Sequence, residues 1–185
     1  MSRSRSIFLA LAASSALAMT ACGDDDGGGG GDSVSASDYA SDICTAFLGW
    51  RDDIQKRQSD LQEGLSPGIS PEEGKDALAG FLGDAVTASD DLVDEVEAAG
   101  TPDAENGEDA AAALQKAAQD ARDELDEAQQ NVDDLPTDDR QAFGAAATQL
   151  GNGVRNALQG VGAGLQDINS EELDKAFNEE EACKG

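Results

Sequence analysis

The chain has 185 residues, with 12 Lys and Arg against 39 Asp and Glu, no His, and a formal charge of −27. That field repels polyanions, so DNA and RNA are not expected partners. Without His, Ser-His-Asp and Cys-His catalysis and His-ligated zinc are excluded.

Residues 1–21 read as an export signal rather than as part of the fold. Arg3 and Arg5 give a short cationic start, and an apolar, small-residue run follows from Ile7 to Met19. Such a run is shorter than the about 20 residues that span a bilayer. It ends in Leu17-Ala18-Met19-Thr20-Ala21-Cys22. This ending resembles the lipobox of bacterial lipoproteins, in which small residues precede a cysteine that takes a diacylglyceryl group and becomes the new N-terminus. Ala21 and Cys22 match the family, whereas Met19 stands where it prefers Leu. The resemblance implies cleavage after Ala21, a lipid on Cys22 and a place on the outer face of the cell membrane. The alternative is an ordinary secretory signal with Cys22 incidental.

Residues 22–36 read as the lipidated cysteine and a flexible tether. Gly23, Asp24 to Asp26, Gly27 to Gly31 and Asp32 include no apolar residue, so this run cannot bury a core. Loss of Arg3 and Arg5 with the signal would bring the formal charge to −29. The tether would reach about 20 Å on average.

Residues 37–185 read as one all-α domain. The first stripe runs through Tyr39, Ile43, Phe47, Trp50, Ile54, Leu61 and Leu65 at helical spacing. Pro67-Gly68 marks a turn. Ser70, Pro71 and Glu73 then form a capping box with proline at the first helical position. The second stripe continues through Leu78, Leu82, Ala85, Ser89, Leu92 and Val96, and Gly100-Thr101-Pro102 ends it and offers another cap.

A third stripe follows through Ala110, Leu114, Ala117, Ala121, Leu125, Ala128, Val132 and Leu135. Its helix starts between Asp103 and Asp109. Pro136 stops it, and Thr137 is the expected cap of the fourth helix, with Asp138 and Asp139 in the first turn. The fourth stripe is Phe143, Ala147, Leu150, Val154, Leu158, Val161, Leu165 and Ile168; a short fifth helix carries Leu173, Ala176 and Phe177. Four long helices with short connections predict an up-down four-helix bundle with a short C-terminal fifth helix. No strand is expected.

Cys44 and Cys183 remain after Cys22 is assigned to lipid. In an exported chain they are expected to form a disulfide between the first helix and the chain's end; two free or intermolecularly paired thiols are the alternative. The segments Asp42-Ile43-Cys44-Thr45-Ala46-Phe47 and Leu173-Asp174-Lys175-Ala176-Phe177, with the Cys-Gly-Asp/Gly tether, resemble small helical lipoproteins of high-GC Gram-positive bacteria. That resemblance implies a place and a fold, not an activity.

Candidate sites are few. Tyr39, Phe47 and Trp50 could line a ligand pocket, though their spacing also suits the core. Lys56 and Arg57 could hold an anion or lie on a solvated face. Ser89 is a polar residue on a core stripe, a hint of a cavity. The acids are spread through the chain and read as a solvated surface, with specific cation capture the alternative. Asp24-Asp25-Asp26 lacks later calcium ligands, and the run from Asp167 has Glu172 in place of the glycine an EF-hand needs; no metal site or cofactor is expected. Gly160 and Gly164 form a small-xxx-small pair, read either as packing against the Ala-rich third helix or as a self-association face. The resulting expectation is a non-enzymatic module, lipid-anchored through Cys22, that contacts an envelope protein. The alternative is a solute- or cation-binding lipoprotein with a cavity in the bundle.

Overall fold

The structure, a computed structural model, describes residues 33–65, 68–166 and 170–184. Cys22 with its expected lipobox, and Ile168 of the fourth stripe, lie outside the described residues. Four long helices follow one another: α1 (Ala36–Gly64), α2 (Pro71–Ala98), α3 (Gly107–Val132) and α4 (Arg140–Gln166). They are 29, 28, 26 and 27 residues long, or about 40 Å each. A nine-residue α5 (Glu171–Glu179) and a 3₁₀ turn (Glu181–Lys184) complete the helical set.

Local chemistry sets the ends of these helices. The Ser35 side chain accepts from the Asp38 backbone N–H at the start of α1. At α2 the capping box is complete: Ser70 accepts from the Glu73 N–H, and the Glu73 carboxylate accepts from the Ser70 N–H at 3.0 Å. The Ser70 backbone N–H and the Ser70 hydroxyl, both donating to this carboxylate, hold the Glu73 carboxyl below its ordinary pKa. At α4 the cap differs from the expected Thr137. Asp139 takes that role, its carboxylate accepting from Gln141 N–H at 2.7 Å and Ala142 N–H at 3.0 Å. A carboxylate there also meets the positive end of the helix dipole, which a hydroxyl does not exploit.

Two strands correct the strand-free expectation. Ser33–Val34 (β1) pairs in parallel with Thr101–Pro102 (β2). The Asp103 N–H extends this pairing to the Val34 carbonyl at 2.7 Å. Val34 also packs against the core. The folded domain therefore includes residues that the sequence pattern assigned to the tether. Thr101–Pro102 is part of this pair, not a cap for α3. The crossing is tight. A Cβ on Gly107 would lie 2.1 Å from the Pro102 carbonyl oxygen, so only glycine fits where α3 begins. Asn106 precedes it at φ 59° and Gly100 sits at φ 75°.

Cross-helix pairs place α1, α2 and α3 antiparallel in turn. Arg57 of α1 pairs with Asp84 of α2 at 2.8 Å, Arg122 of α3 with Asp90 of α2 at 2.8 Å, and Lys75 at the start of α2 meets Asp133 just past α3. α2 packs on both α1 and α3, and α4 packs along α3. The expected four-helix bundle is thus present, but its ring is uneven. α1 packs against α5 and the 3₁₀ turn, with no comparable packing against α4 among the described residues.

A nine-residue helix has little stability alone. Burial holds α5 in place: Leu173 is fully buried, and Phe177 meets Tyr39 edge to face at 6.5 Å. The Cys44–Cys183 disulfide fastens the segment that follows it, with the two Cα atoms 5.0 Å apart. The bridge closes a loop with a sequence separation of 139. In the chain-entropy picture, reduction should cost up to about 5 kcal/mol. Urea unfolding with and without reductant checks this, and an unchanged midpoint would refute it.

Candidate functional site

Tyr39, Phe47 and Trp50 do not make a common pocket among the described residues. Tyr39 is 0% exposed and belongs to the core beside α5. Phe47 and Trp50 stack at 5.8 Å with tilted rings. The Trp50 indole N–H donates to the Ser89 hydroxyl at 3.0 Å, and that hydroxyl donates to the Ala85 carbonyl at 2.9 Å. Ser89 is therefore buried to satisfy an indole, not to line a solute cavity. The polar atom on the second stripe and the indole on the first form one internal bond. Two residues of the expected pocket are thus core, and Phe47 packs against that core, half-buried.

Tyr39 is an exception among the buried polar groups, since its hydroxyl has no hydrogen-bond partner. Burial pushes its pKa up to about 12. The folded chain then keeps a proton that the unfolded chain releases near pH 10. Stability is unaffected by this group below about pH 10 and falls as pH rises toward about 12, by up to about 3 kcal/mol. Tyr39→Phe should abolish this alkaline loss. It should also raise stability near neutral pH by about 1 kcal/mol, because no unpaired hydroxyl is then desolvated. Denaturation curves near neutral pH and at about pH 11 test both points; the same alkaline loss in the variant would disprove the assignment.

Lys56 and Arg57 lie in a shallow groove on the outside of α1 and α2 with Asp53, Asp60 and Asp84. Arg57 is already paired with Asp84. Three carboxylates beside two cations do not make an anion site. Among the described residues no group of three or more His, Cys, Asp or Glu side chains is placed to hold a metal ion.

An apolar cavity lies between α1, α2 and α4. It has a volume of about 370 Å³, within the range of small-ligand sites. Ile54 and Leu61 of α1, Leu78 and Phe81 of α2, and Leu150 and Leu158 of α4 form its walls. Its polar members are Gln58 and Arg155. The Arg155 guanidinium donates to the Asn152 side-chain oxygen at 3.0 Å. No ion pair involves Arg155 among the described residues.

α4 itself departs from the expected acidic surface. From Arg140 to Gln166 it has no Asp or Glu, two Arg and six Gly. The acids are therefore not evenly spread, a signal present in the sequence. Nor do the glycines serve tight packing on α3. A Cβ at Gly144, Gly151, Gly153, Gly160 or Gly162 would meet nothing within 4 Å. Alanines at Ala110, Ala118, Ala121 and Ala128 do face the core from α3, but none of these five glycines is needed to approach them.

No family model, curated protein or solved structure matches the chain.

Proposed function

We propose that this chain is an extracytoplasmic lipoprotein, lipid-anchored through Cys22 to the outer face of the cell membrane, acting as a non-enzymatic contact module. The order of features supports the anchor: a cationic start, a short apolar run, small residues, Cys22, then a Gly/Asp segment before the first described residue. No helix among the described residues is long and apolar enough to cross a membrane. Membrane attachment through the helical domain would need another device, and the lipid supplies it.

The observation that carries the contact reading is the set of glycines along α4 that have open space beside them. Glycine in a helix interior costs about 1 kcal/mol relative to alanine. Five glycines of α4 have open space where a side chain would stand, so the fold itself offers no return for that cost. A partner that approaches the backbone closely would. The same helix is free of the acids that repel anionic partners elsewhere on the chain. The cleft between α1 and α4 favours a second reading, in which the domain holds a small ligand inside the bundle.

Cys22→Ser is expected to move the protein from the membrane fraction into the medium. Retention of this variant on membranes would refute the anchor. Gly144→Ala and Gly160→Ala should each raise the stability of the isolated domain by about 1 kcal/mol in thermal unfolding. A loss of stability would mean that these glycines serve the fold, and the contact reading would lose its support.

A further inference from the structure

We infer that the cleft between α1, α2 and α4 is a binding site for a single-chain alkyl carboxylate, with Arg155 receiving the carboxylate. The inference rests on the reading of the domain as a ligand holder and names the class of ligand.

Shape points to one alkyl chain. Ile54 to Leu61 on α1 and Leu150 to Leu158 on α4 both line the cleft. At 1.5 Å per residue each stretch runs about 10–12 Å along its helix. The result is a slot between antiparallel helices, and its volume of about 370 Å³ lies at the small end of ligand sites. A two-chain lipid asks for more room than that.

Charge points to the head group. The chain holds 39 acids and 12 bases, and acidic partners occupy Arg51, Arg57, Lys75 and Arg122. Among the described residues Arg155 bonds only an amide oxygen, on a helix without acids, at an apolar slot. A guanidinium presents a planar fork that matches a carboxylate. Gln58 adds the only other polar group of the lining, with an amide donor. The negative charge elsewhere on the chain acts weakly here, since exposed charges are screened beyond about 8 Å at physiological salt.

Gly151 is the third observation. It lines the slot, and a Cβ there would meet nothing within 4 Å. A side chain at this position would enter the slot without striking the protein.

The test is calorimetric titration of the full chain carrying Cys22→Ser, so that no covalent acyl chain competes, with dodecanoate below its micelle concentration. Saturable one-to-one binding is expected. Gly151→Leu should weaken it at least tenfold while the melting temperature stays the same or rises. Arg155→Gln, a surface change, should weaken dodecanoate about tenfold and leave dodecanol unaffected. Binding of dodecanol without dodecanoate overturns the carboxylate assignment yet leaves the domain a ligand holder. Failure of both overturns the ligand-holding reading as well. Dodecanoate binding that survives Gly151→Leu places the ligand elsewhere and overturns the site. A concentration-dependent dimer in sedimentation that Gly151→Leu breaks and dodecanoate does not would make a second copy the occupant, and it too overturns the proposal.

Discussion

The attachment of α5 to α1 governs the rest of the molecule. In a closed four-helix ring the last long helix packs against the first. Here α5 and the 3₁₀ turn take that flank near Tyr39, Cys44 and Leu173, and a disulfide fixes them there. α4 is then supported mainly by α3. Half of α1 is closed by a short helix and half faces a slot. The slot is therefore a product of chain connectivity. A ring completed by α4 would fill this space with the same leucines that now line it.

Helix α4 shows the cost of this arrangement. Its first half carries Phe143, Ala146 and Leu150 only half-buried, while Val154, Ala157 and Val161 are buried further along. With few apolar contacts and many glycines, the first half of α4 is held less by packing than its second half. The features that weaken it as a structural helix also leave it a clean outer face and an accessible inner one. A single-residue change that fills Gly151 would act on the side of α4 that lines the slot, and one at Gly160, nine residues on and so on the opposite flank of the helix, on the other, so the two sides can be tested separately.

Much of this was legible from periodicity. Each stripe marks the core side of its helix, and the capping box at Ser70 and the Cys44–Cys183 pair follow from local rules. Periodicity does not say which helix meets which, so the missing α1–α4 contact had no sequence signal. Two-residue strands carry too little pattern to detect, and β1–β2 depends on Gly107 admitting the Pro102 carbonyl. Ser89 was misleading because its indole partner lies on another helix, at a sequence distance of 39. The acid-free stretch from Arg140 to Gln166 was visible all along; averaging charge over the chain hid it.

The position of the slot bears on an anchored protein. The described domain begins at Ser33, pinned by β1 against β2 beside the start of α1. Gln58, a polar lining residue, lies 22 residues beyond Ala36 on the same helix, or roughly 33 Å along it. The anchor proposed on Cys22 would join the domain at its β1 end. Because α1 is one unbroken helix from Ala36 to Gly64, that distance is fixed by the fold rather than by the tether. The length of α1 therefore sets how far the slot and Arg155 stand from the point where the chain enters the domain. Ligand exchange there would be separated from the site of attachment by most of the bundle.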